Sequence, residues 1–433
     1  MKRLSRLGLV LLVVFVLALA LVGLAALVRG TPVHIVLAEG DGEGPPAASD
    51  TLFANTMELY TGTHITPGNL VTELLNGDGI YPVLFRDIDA ARQTITMQMY
   101  YSQPGRVADE VQRRLMAAAR RKVRVKLLLD AFGSQNLSDE WRDSLRAAGA
   151  EVQDLRPLRW YRFHEATNRS HARVVVIDGR IGYTGGFGLA DYWLGNGRRP
   201  GEWRETSVRF EGPAVLQLQA AFAVAWAEPS GELLTGDVFF PRDVPRSTPG
   251  ASSAGLLYTA PTQGSTSAER FLALSIAGAR RTLYITNSYF VPDDDFRRLL
   301  TRARKRGVDV RVLTVGNETD VKSTLWAGRW RYEELLRAGV RVYEYRPAMM
   351  HAKTMVVDGV WSTIGSMNFD NRSLAFNDET NLVVLDPVVG ARMNAEFLED
   401  LRHADEIVLE QWVKRGWWER TLELGASLMS RIL

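Results

Sequence analysis

The chain has 433 residues, of which 46% are apolar and 24% are charged, as in an ordinary globular protein. This length allows two or three domains with well-buried cores. Its 52 basic and 50 acidic residues give a formal net charge of +2, which excludes a strong overall attraction to nucleic acid. The absence of cysteine excludes thiol catalysis, disulfides and cysteine-ligated metal, and leaves the compartment open.

An uncharged apolar segment, Leu7 to Val28, lies near the N-terminus. As a helix rising about 1.5 Å per residue, it reaches roughly 30 Å, the thickness of the bilayer's hydrocarbon core. Lys2, Arg3 and Arg6 precede it, and the positive-inside rule then places residues 1–6 in the cytoplasm. The alternative is a cleaved signal peptide, whose apolar region is shorter, about 7–15 residues. We therefore predict a retained single-pass transmembrane helix over 7–28 in the cell membrane, with the body extracytoplasmic.

Two low-complexity breaks divide the rest of the chain. Gly40–Asp50 is a Gly/Pro/Ser-rich tether, and Pro241–Gly255 is a second break. Three features recur in the same order on each side of the second break. The first is a strand that ends in tyrosine or phenylalanine, the second is a basic helix end that leads into a buried strand, and the third is a motif that begins His-Ala. The matched segments are 91–101 with 279–290, 118–130 with 302–316, and 171–179 with 351–359.

This repetition predicts an internal duplication of an α/β unit with parallel or mixed sheets. The predicted boundaries are 29–55 for the linker, 56–240 for the first domain, 255–400 for the second domain and 401–433 for C-terminal helices. The Trp-rich segment 411–433 can lie in a membrane interface or cap the second domain, and we favour the cap.

The two late segments, HARVVVIDG (171–179) and HAKTMVVDG (351–359), share one formula. It reads His, any residue, a long base, four residues, Asp, Gly. The composition predicts roughly 0.04 chance matches to one copy, so two copies at equivalent places of a repeat are a strong signal. The apolar spacer predicts a buried strand, on which residues i and i+2 face the same side. His171 then points with Arg173, and His351 with Lys353.

Other residues of the motifs have different expected roles. Asp178 and Asp358 lie at odd offsets from the histidines, which suits ending and bracing the strand better than contacting substrate. Downstream, Gly185-Gly186 and Gly365-Ser366 allow close approach of the backbone.

Two histidines and two cations that face one cavity suit phosphodiester chemistry. A neutral imidazole can attack phosphorus to give a phosphohistidine, while a protonated one donates to the departing alkoxide and then activates the acceptor. The cations hold the non-bridging oxygens. We predict no metal and no cofactor, because the sequence has no clustered carboxylates or paired histidines with ligand spacing.

From about residue 65 to 433 the chain resembles the phospholipase D superfamily, and most closely bacterial cardiolipin synthases. The segments that carry the resemblance are HAKTMVVDG, GSMNFDNRS (365–373), NDE (377–379), YFVPD (289–293) and LRAGVRVYEY (336–345). The resemblance implies two fused phospholipase D-like α/β/α sandwich halves with pseudo-twofold symmetry, whose histidines meet between the halves. It also implies that His171 is the nucleophile and His351 the general acid, although the reverse order stays open.

The first half departs from the family pattern. Arg173 stands where the family has Lys, and Gly188 stands where it has Asn, whereas the second half keeps Lys353 and Asn368. Arg can bind phosphate bidentately, but it is not a compact ammonium, so rate or specificity can differ.

Further site residues follow from the resemblance. Glu205 and Glu379 are expected to hydrogen-bond the histidines and so orient their rings. We predict catalytic roles for both glutamates and for the histidine, cation and aspartate of each motif. Asn368, Ser366 and Gly186 are predicted to bind substrate.

The function predicted is that of a phosphatidyltransferase. It would cleave an anionic phospholipid such as phosphatidylglycerol, hold the phosphatidyl group on His171 and pass it to an alcohol. A second phosphatidylglycerol as acceptor gives cardiolipin plus glycerol. The alternatives are hydrolysis, by a phospholipase D or a nuclease of the same superfamily, and a non-catalytic membrane-tethered binding module. The apolar segment and the near-neutral charge favour lipid and a membrane as partners over nucleic acid.

Overall fold

The structure, a computed structural model, describes residues 6–28, 37, 44–157, 168–244, 251–260 and 266–428. A helix, α1, covers Arg6–Val28, where the apolar segment lies. Within those described residues, no helix meets the combined length and hydropathy that crossing a bilayer requires. The transmembrane helix predicted over 7–28 is therefore not confirmed.

Eighteen strands and twelve further helices make up the described body. The strands are β1 (Thr66–Leu75), β2 (Thr94–Met99), β3 (Arg124–Asp130), β4 (Glu151–Leu155), β5 (Arg169–Ser170), β6 (Val174–Ile177), β7 (Ile181–Thr184), β8 (Trp203–Arg204), β9 (Thr206–Glu211), β10 (Ser252–Thr259), β11 (Thr282–Asn287), β12 (Asp309–Val315), β13 (Arg341–Tyr345), β14 (Met349–Met350), β15 (Thr354–Val357), β16 (Trp361–Gly365), β17 (Asn377–Leu385) and β18 (Ala404–Glu406). The helices are α2 (Thr51–Thr61), α3 (Asn76–Ala90), α4 (Arg106–Arg120), α5 (Asp139–Ala147), α6 (Ala214–Ser230), α7 (Ser267–Gly278), α8 (Asp294–Lys305), α9 (Lys322–Arg337), α10 (Asn371–Ala375), α11 (Pro387–Leu401), α12 (Leu409–Trp412) and α13 (Trp417–Ser427).

The strand order repeats on the two sides of one sheet. From the centre outward, the first half runs β1-β9-β7-β6-β2-β3-β4, and the second half runs β10-β17-β16-β15-β11-β12-β13, with β18 at its edge. Strands β2, β3 and β4 are parallel, as are β11, β12 and β13, whereas the inner strands are antiparallel. An antiparallel pairing of β1 with β10 joins the halves. The predicted duplication with a mixed sheet is thus confirmed, while the exact domain boundaries stay a prediction.

The strands read as apolar runs because both faces of the sheet are covered. All six residues of β2 are buried, and α6 and α11 pack along the sheet on one side of each half. Several helices start at a side chain that accepts a backbone N–H, as Ser138 does for α5 and Asp293 for α8. One buried apolar cluster contains residues of both halves, including Met97 of the first and Leu313 of the second. The halves therefore share a core.

The C-terminal helix α13 packs along α9 of the second half. Its Glu423 is buried and accepts a hydrogen bond from Arg415 (2.9 Å), and Ala426 is buried against Ala327. Trp417 and Trp418 remain exposed. The helix therefore caps the second half, the alternative that the sequence favoured, while its indoles face outward.

Candidate active site

The two His-Ala motifs meet at a cavity of roughly 280 Å³ between the halves. His171 follows β5, which pairs in parallel with the start of β17 in the other half. His351 follows β14, which pairs in parallel with β8 of the first half, and its backbone N–H donates to the carbonyl of Arg204 (2.8 Å). Each histidine is therefore attached to the glutamate-bearing segment of the opposite half.

The glutamates pair with the histidines in a crossed manner. Nδ1 of His171 lies 3.0 Å from both carboxylate oxygens of Glu379, and Nδ1 of His351 lies 2.6 Å from Oε2 of Glu205. All four side chains are buried. Because each Nδ1 is engaged, Nε2 is the ring nitrogen left to react. The sequence indicated that the glutamates orient the histidines, but spacing along the chain gave no sign that the partners cross between the halves.

Arg173 and Lys353 are buried beside the histidines, in the short irregular segments that lead into β6 and β15. Nη1 of Arg173 donates to the carbonyl of His171 (2.5 Å), and Nζ of Lys353 donates to the carbonyl of His351 and to Oγ of Ser288 (2.7 Å). Among the described residues, Nε of Arg173 has no hydrogen-bond partner. A buried N–H without a partner is costly, so a non-bridging phosphate oxygen is a suitable acceptor for it.

The motif aspartates brace the fold at a distance from the cavity. Asp178 and Asp358 both adopt φ of 54° and begin the Asp-Gly turns that lead into β7 and β16. The Asp178 carboxylate accepts the backbone N–H groups that open β2, including that of Gln93 (2.7 Å), and Asp358 does the same for β11 through Arg281 (2.7 Å). Neither aspartate lines the cavity. Their geometry is that of a turn and a strand anchor.

Further residues line the cavity beside the histidines. Tyr100 packs edge-on against His171, with ring centroids 5.0 Å apart, and Trp203 stacks on His351 at 4.6 Å. Asp320, Asp370 and Arg372 also line the wall, as do Asn368 and Asn377. Tyr100 and Tyr289 follow equivalent strands of the repeat, and Asp370, Arg372 and Asn377 stand in segments that carry the family resemblance. Nothing in the sequence pointed to Trp203 or Asp320. Among the described His, Asp and Glu side chains, no group of three or more is placed to hold a metal ion.

Comparisons with known proteins identify the family. A family profile described as "Cardiolipin synthase, PLD-like domain" matches residues 84–196 and 272–401. The cardiolipin synthase of Geobacillus kaustophilus (strain HTA426) is 34% identical over 362 residues, which cover 83% of this chain and 72% of that protein. The chain belongs to the cardiolipin synthase family of phospholipase D-like proteins.

Other relatives agree with this membership. Cardiolipin synthase A of Cronobacter sakazakii is 32% identical over 382 residues, covering 87% of this chain and 78% of that protein. The crystal structure of phosphatidylserine synthase from Haemophilus influenzae Rd KW20 superimposes with a TM-score of 0.65 at 13% identity, covering 88% of this chain and 99% of that chain. At that identity the likeness is one of fold. The two stretches that the family profile matches, one in each half, confirm two phospholipase D-like halves.

The two glutamates have unequal surroundings. Oγ of Ser366 donates to Glu379 (2.5 Å), whereas the equivalent position in the first half is Gly186, where an added Cβ would lie 2.2 Å from Oε2 of Glu205. Burial raises the pKa of Glu205 to about 7. For Glu379, burial acts in the same direction but is outweighed by His171 and by the Ser366 hydrogen bond, so its pKa lies below the ordinary value. Glu379 is thus ionised at neutral pH, whereas Glu205 can carry a proton near neutral pH.

The histidines and Lys353 also titrate away from their ordinary values. Burial, reinforced by Arg173, lowers the pKa of His171 to about 4. Burial and the neighbouring Lys353 hold the pKa of His351 well below its ordinary value. Burial lowers the pKa of Lys353 to about 7. In the unliganded cavity at pH 7, both imidazoles are therefore neutral.

The missing asparagine of the first half has a structural reason. At Gly188 an added Cβ would lie 2.5 Å from the carbonyl oxygen of Tyr101 and 2.8 Å from the ring of Trp193. Trp193 packs edge-on against Trp203, with centroids 4.6 Å apart, and both indoles contact His351. Aromatic side chains therefore fill the space that the second half gives to the polar Asn368.

We expect Gly188→Asn to harm the protein, although it restores the family residue. The extra atoms overlap Trp193 and the Tyr101 backbone, so unfolding should require about 1–3 kcal/mol less free energy, measured by urea denaturation, and turnover should fall. Gly416→Asn is the matched control, because nothing lies within 4 Å of its Cβ and its φ of −60° suits any residue. A Gly188→Asn protein as stable as the parent and more active would contradict this reading.

The pKa of Lys353 predicts an alkaline limb in the pH profile. As pH rises through about 7, Lys353 loses its proton and the phosphate loses one of two cations, so kcat/KM for a phosphodiester should fall. Lys353→Arg keeps its charge and should move this limb to higher pH. Arg173→Lys is the companion variant, since it adds a second titrating amine and should move the limb down. If the fall of kcat/KM occurs at the same pH in Lys353→Arg as in the parent, the group that causes it is not Lys353.

Proposed function

We propose that this protein is a phosphatidyltransferase that makes cardiolipin and glycerol from two molecules of phosphatidylglycerol through a phosphohistidine. The observation that carries the proposal is the crossed pair of histidine–glutamate contacts at one cavity, with a buried cation beside each histidine, in a chain of the cardiolipin synthase family. This arrangement supports an enzyme over a non-catalytic binding module, because every group that the chemistry needs is in place.

In the first step, Nε2 of His171 attacks phosphorus while the bond from phosphorus to the headgroup oxygen breaks. His351 donates its Nε2 proton to the departing glycerol oxygen, and the phosphatidyl group stays on His171. In the second step, the hydroxyl oxygen of another phosphatidylglycerol attacks phosphorus, its proton passes to His351, and His171 is released. Arg173 and Lys353 hold the non-bridging oxygens throughout.

The electrostatics suit His171 as the nucleophile. Its Nδ1–H donates to the ionised Glu379, so the lone pair is on Nε2, and its pKa of about 4 keeps it uncharged at neutral pH. His351 needs a proton before it can act as an acid. A phosphodiester anion raises the pKa of a nearby imidazole, and Glu205, with its pKa of about 7, shares a proton with that ring. Substrate binding would therefore protonate His351.

The roles of the histidines can be separated by the leaving group. A general acid matters little when the leaving alcohol is acidic, so His351→Ala should release about one equivalent of p-nitrophenol from a phosphatidyl p-nitrophenyl ester far faster than it cleaves phosphatidylglycerol. His171→Ala should lose about 10³-fold or more with both substrates, since no phosphohistidine can form. Release of p-nitrophenol and formation of cardiolipin are the measurements. The opposite pattern would exchange the two roles, and full cardiolipin synthesis by either variant would refute the mechanism.

We further infer that the apolar segment over residues 7–28 anchors the enzyme in the cell membrane, with its body extracytoplasmic. Its length and the three preceding positive charges support this. The full chain should stay with membranes after alkaline carbonate extraction, whereas Leu12→Arg with Val16→Arg should release it, because each buried charge costs about 2.5–3.5 kcal/mol. Release of the unaltered chain would contradict the anchor.

A further inference from the structure

Asp320 places a carboxylate on the wall of a cavity built for an anion. It lies in the loop after β12, next to the end of β11, where Tyr289 follows. The Tyr289 hydroxyl donates to Oδ1 of Asp320 (2.7 Å). Within the part of the chain that the structure describes, this is the one hydrogen bond to the carboxylate, and it has no ion pair. Most of its hydrogen-bonding capacity is therefore available to a ligand.

Asp320 lies toward the His351 side of the cavity, which it lines together with Tyr101 and Trp203. Burial raises the pKa of Tyr101 and the Asp320 charge adds to this shift, while the same charge opposes the lowering of the Lys353 pKa by burial. The rings of Tyr101 and Trp203 are 6.0 Å apart, Trp203 stacks on His351, and Lys353 donates to the carbonyl of His351. In the proposed reaction, His351 protonates the departing alcohol and deprotonates the entering one, so Asp320 is placed to contact that alcohol.

Two other carboxylates around the site are used within the fold. Asp370, on the described cavity wall, accepts the backbone N–H of Ser373 (2.8 Å) at the start of α10. Asp130, at the end of β3 in the first half, accepts three backbone N–H groups at 3.0 Å, from Phe132, Gly133 and Ser170. Among the carboxylates on the described cavity wall, Asp320 is thus the one that is exposed and keeps most of its hydrogen-bonding capacity for a ligand.

We propose that Asp320 is a specificity-determining residue, which accepts hydrogen bonds from the free hydroxyls of a polyhydric alcohol such as a glycerol headgroup. The inference rests on the proposed transferase function and adds the residue that recognises the hydroxyls of its acceptor. A carboxylate repels phosphate, so its place here is explained by hydrogen-bond donors on the substrate. An ammonium group is disfavoured because Arg173 and Arg372 line the same cavity. Tyr289 and Thr324 add hydroxyls that suit a polyol.

The test is a competition for the common phosphatidyl intermediate. The full-length enzyme is given phosphatidylglycerol with equal concentrations of 1-propanol, ethanolamine and isotope-labelled glycerol, and the phosphatidyl products are counted. The ratio of products depends on the second step alone, since all three acceptors meet the same intermediate. We expect glycerol to be favoured over 1-propanol by about tenfold, the effect of one hydrogen bond.

Two variants of Asp320 distinguish the loss of the hydrogen-bond acceptor from the loss of the negative charge. Asp320→Leu should bring the glycerol to 1-propanol ratio near one, and it should also slow consumption of phosphatidylglycerol, because the departing glycerol of the donor meets the same carboxylate. Asp320→Asn should keep much of the preference, because its carboxamide oxygen still accepts from a hydroxyl. Glu318→Gln, an exposed change in the same loop that does not line the cavity, is the control and should leave the ratio unchanged.

The contrary outcomes are distinct. An equal ratio in the parent enzyme, or an unchanged ratio in Asp320→Leu, would overturn the assignment. A parent that favours ethanolamine and loses this preference in Asp320→Asn would show recognition of ammonium instead. If phosphatidylglycerol is consumed but the enzyme shows no preference among the three acceptors, the role of Asp320 is contradicted while the transferase proposal stands. If the enzyme neither consumes phospholipid nor exchanges its headgroup, the transferase proposal itself is contradicted.

Discussion

The geometry of the candidate active site depends on hydrogen bonds that run from each histidine to the glutamate of the opposite half. They join His171 to Glu379 and His351 to Glu205. Because an imidazole can rotate about its bonds, a fixed partner on Nδ1 is what aims Nε2 into the cavity. The two short parallel pairings, of β5 with β17 and β14 with β8, hold the backbones that make this possible. The packing of the two halves on one core therefore helps to fix the orientation of both histidine rings.

Two ion pairs next to the glutamates stabilise the same crossed arrangement of the two halves. Arg204, which precedes Glu205, forms an ion pair with Asp400 on α11 of the second half (2.7 Å). Asp378, which precedes Glu379, forms one with Arg156 of the first half (2.9 Å). The charges are inverted between the two sites, yet each pair ties a glutamate strand to the opposite half. A buried pair contributes little net stability but penalises misalignment strongly, since separating the partners leaves a charge buried alone.

The sequence predicted what periodicity and repetition can encode. The duplicated order of strands and helices, the buried strands of the motifs and the shared direction of His171 with Arg173 all follow from local spacing. The crossed partners and the stacking of Trp203 on His351 depend on contacts between the halves, and the hydrogen bond from Tyr289 to Asp320 depends on a contact between two loops. The spacing of residues along the chain contains none of these contacts. Gly188 was visible only as a departure from a family pattern, because its cause, the packing of Trp193, is a tertiary contact.

The filled space beside Gly188 couples this position to its neighbours. The carbonyl of Tyr101 and the ring of Trp193 already occupy the volume that a side chain would need. A polar residue could therefore be accommodated at 188 only together with a smaller residue at 193, so the effects of the two changes on stability would not be additive. Engineering of a symmetric pair of half-sites would have to begin with the aromatic packing and not with the residue that differs.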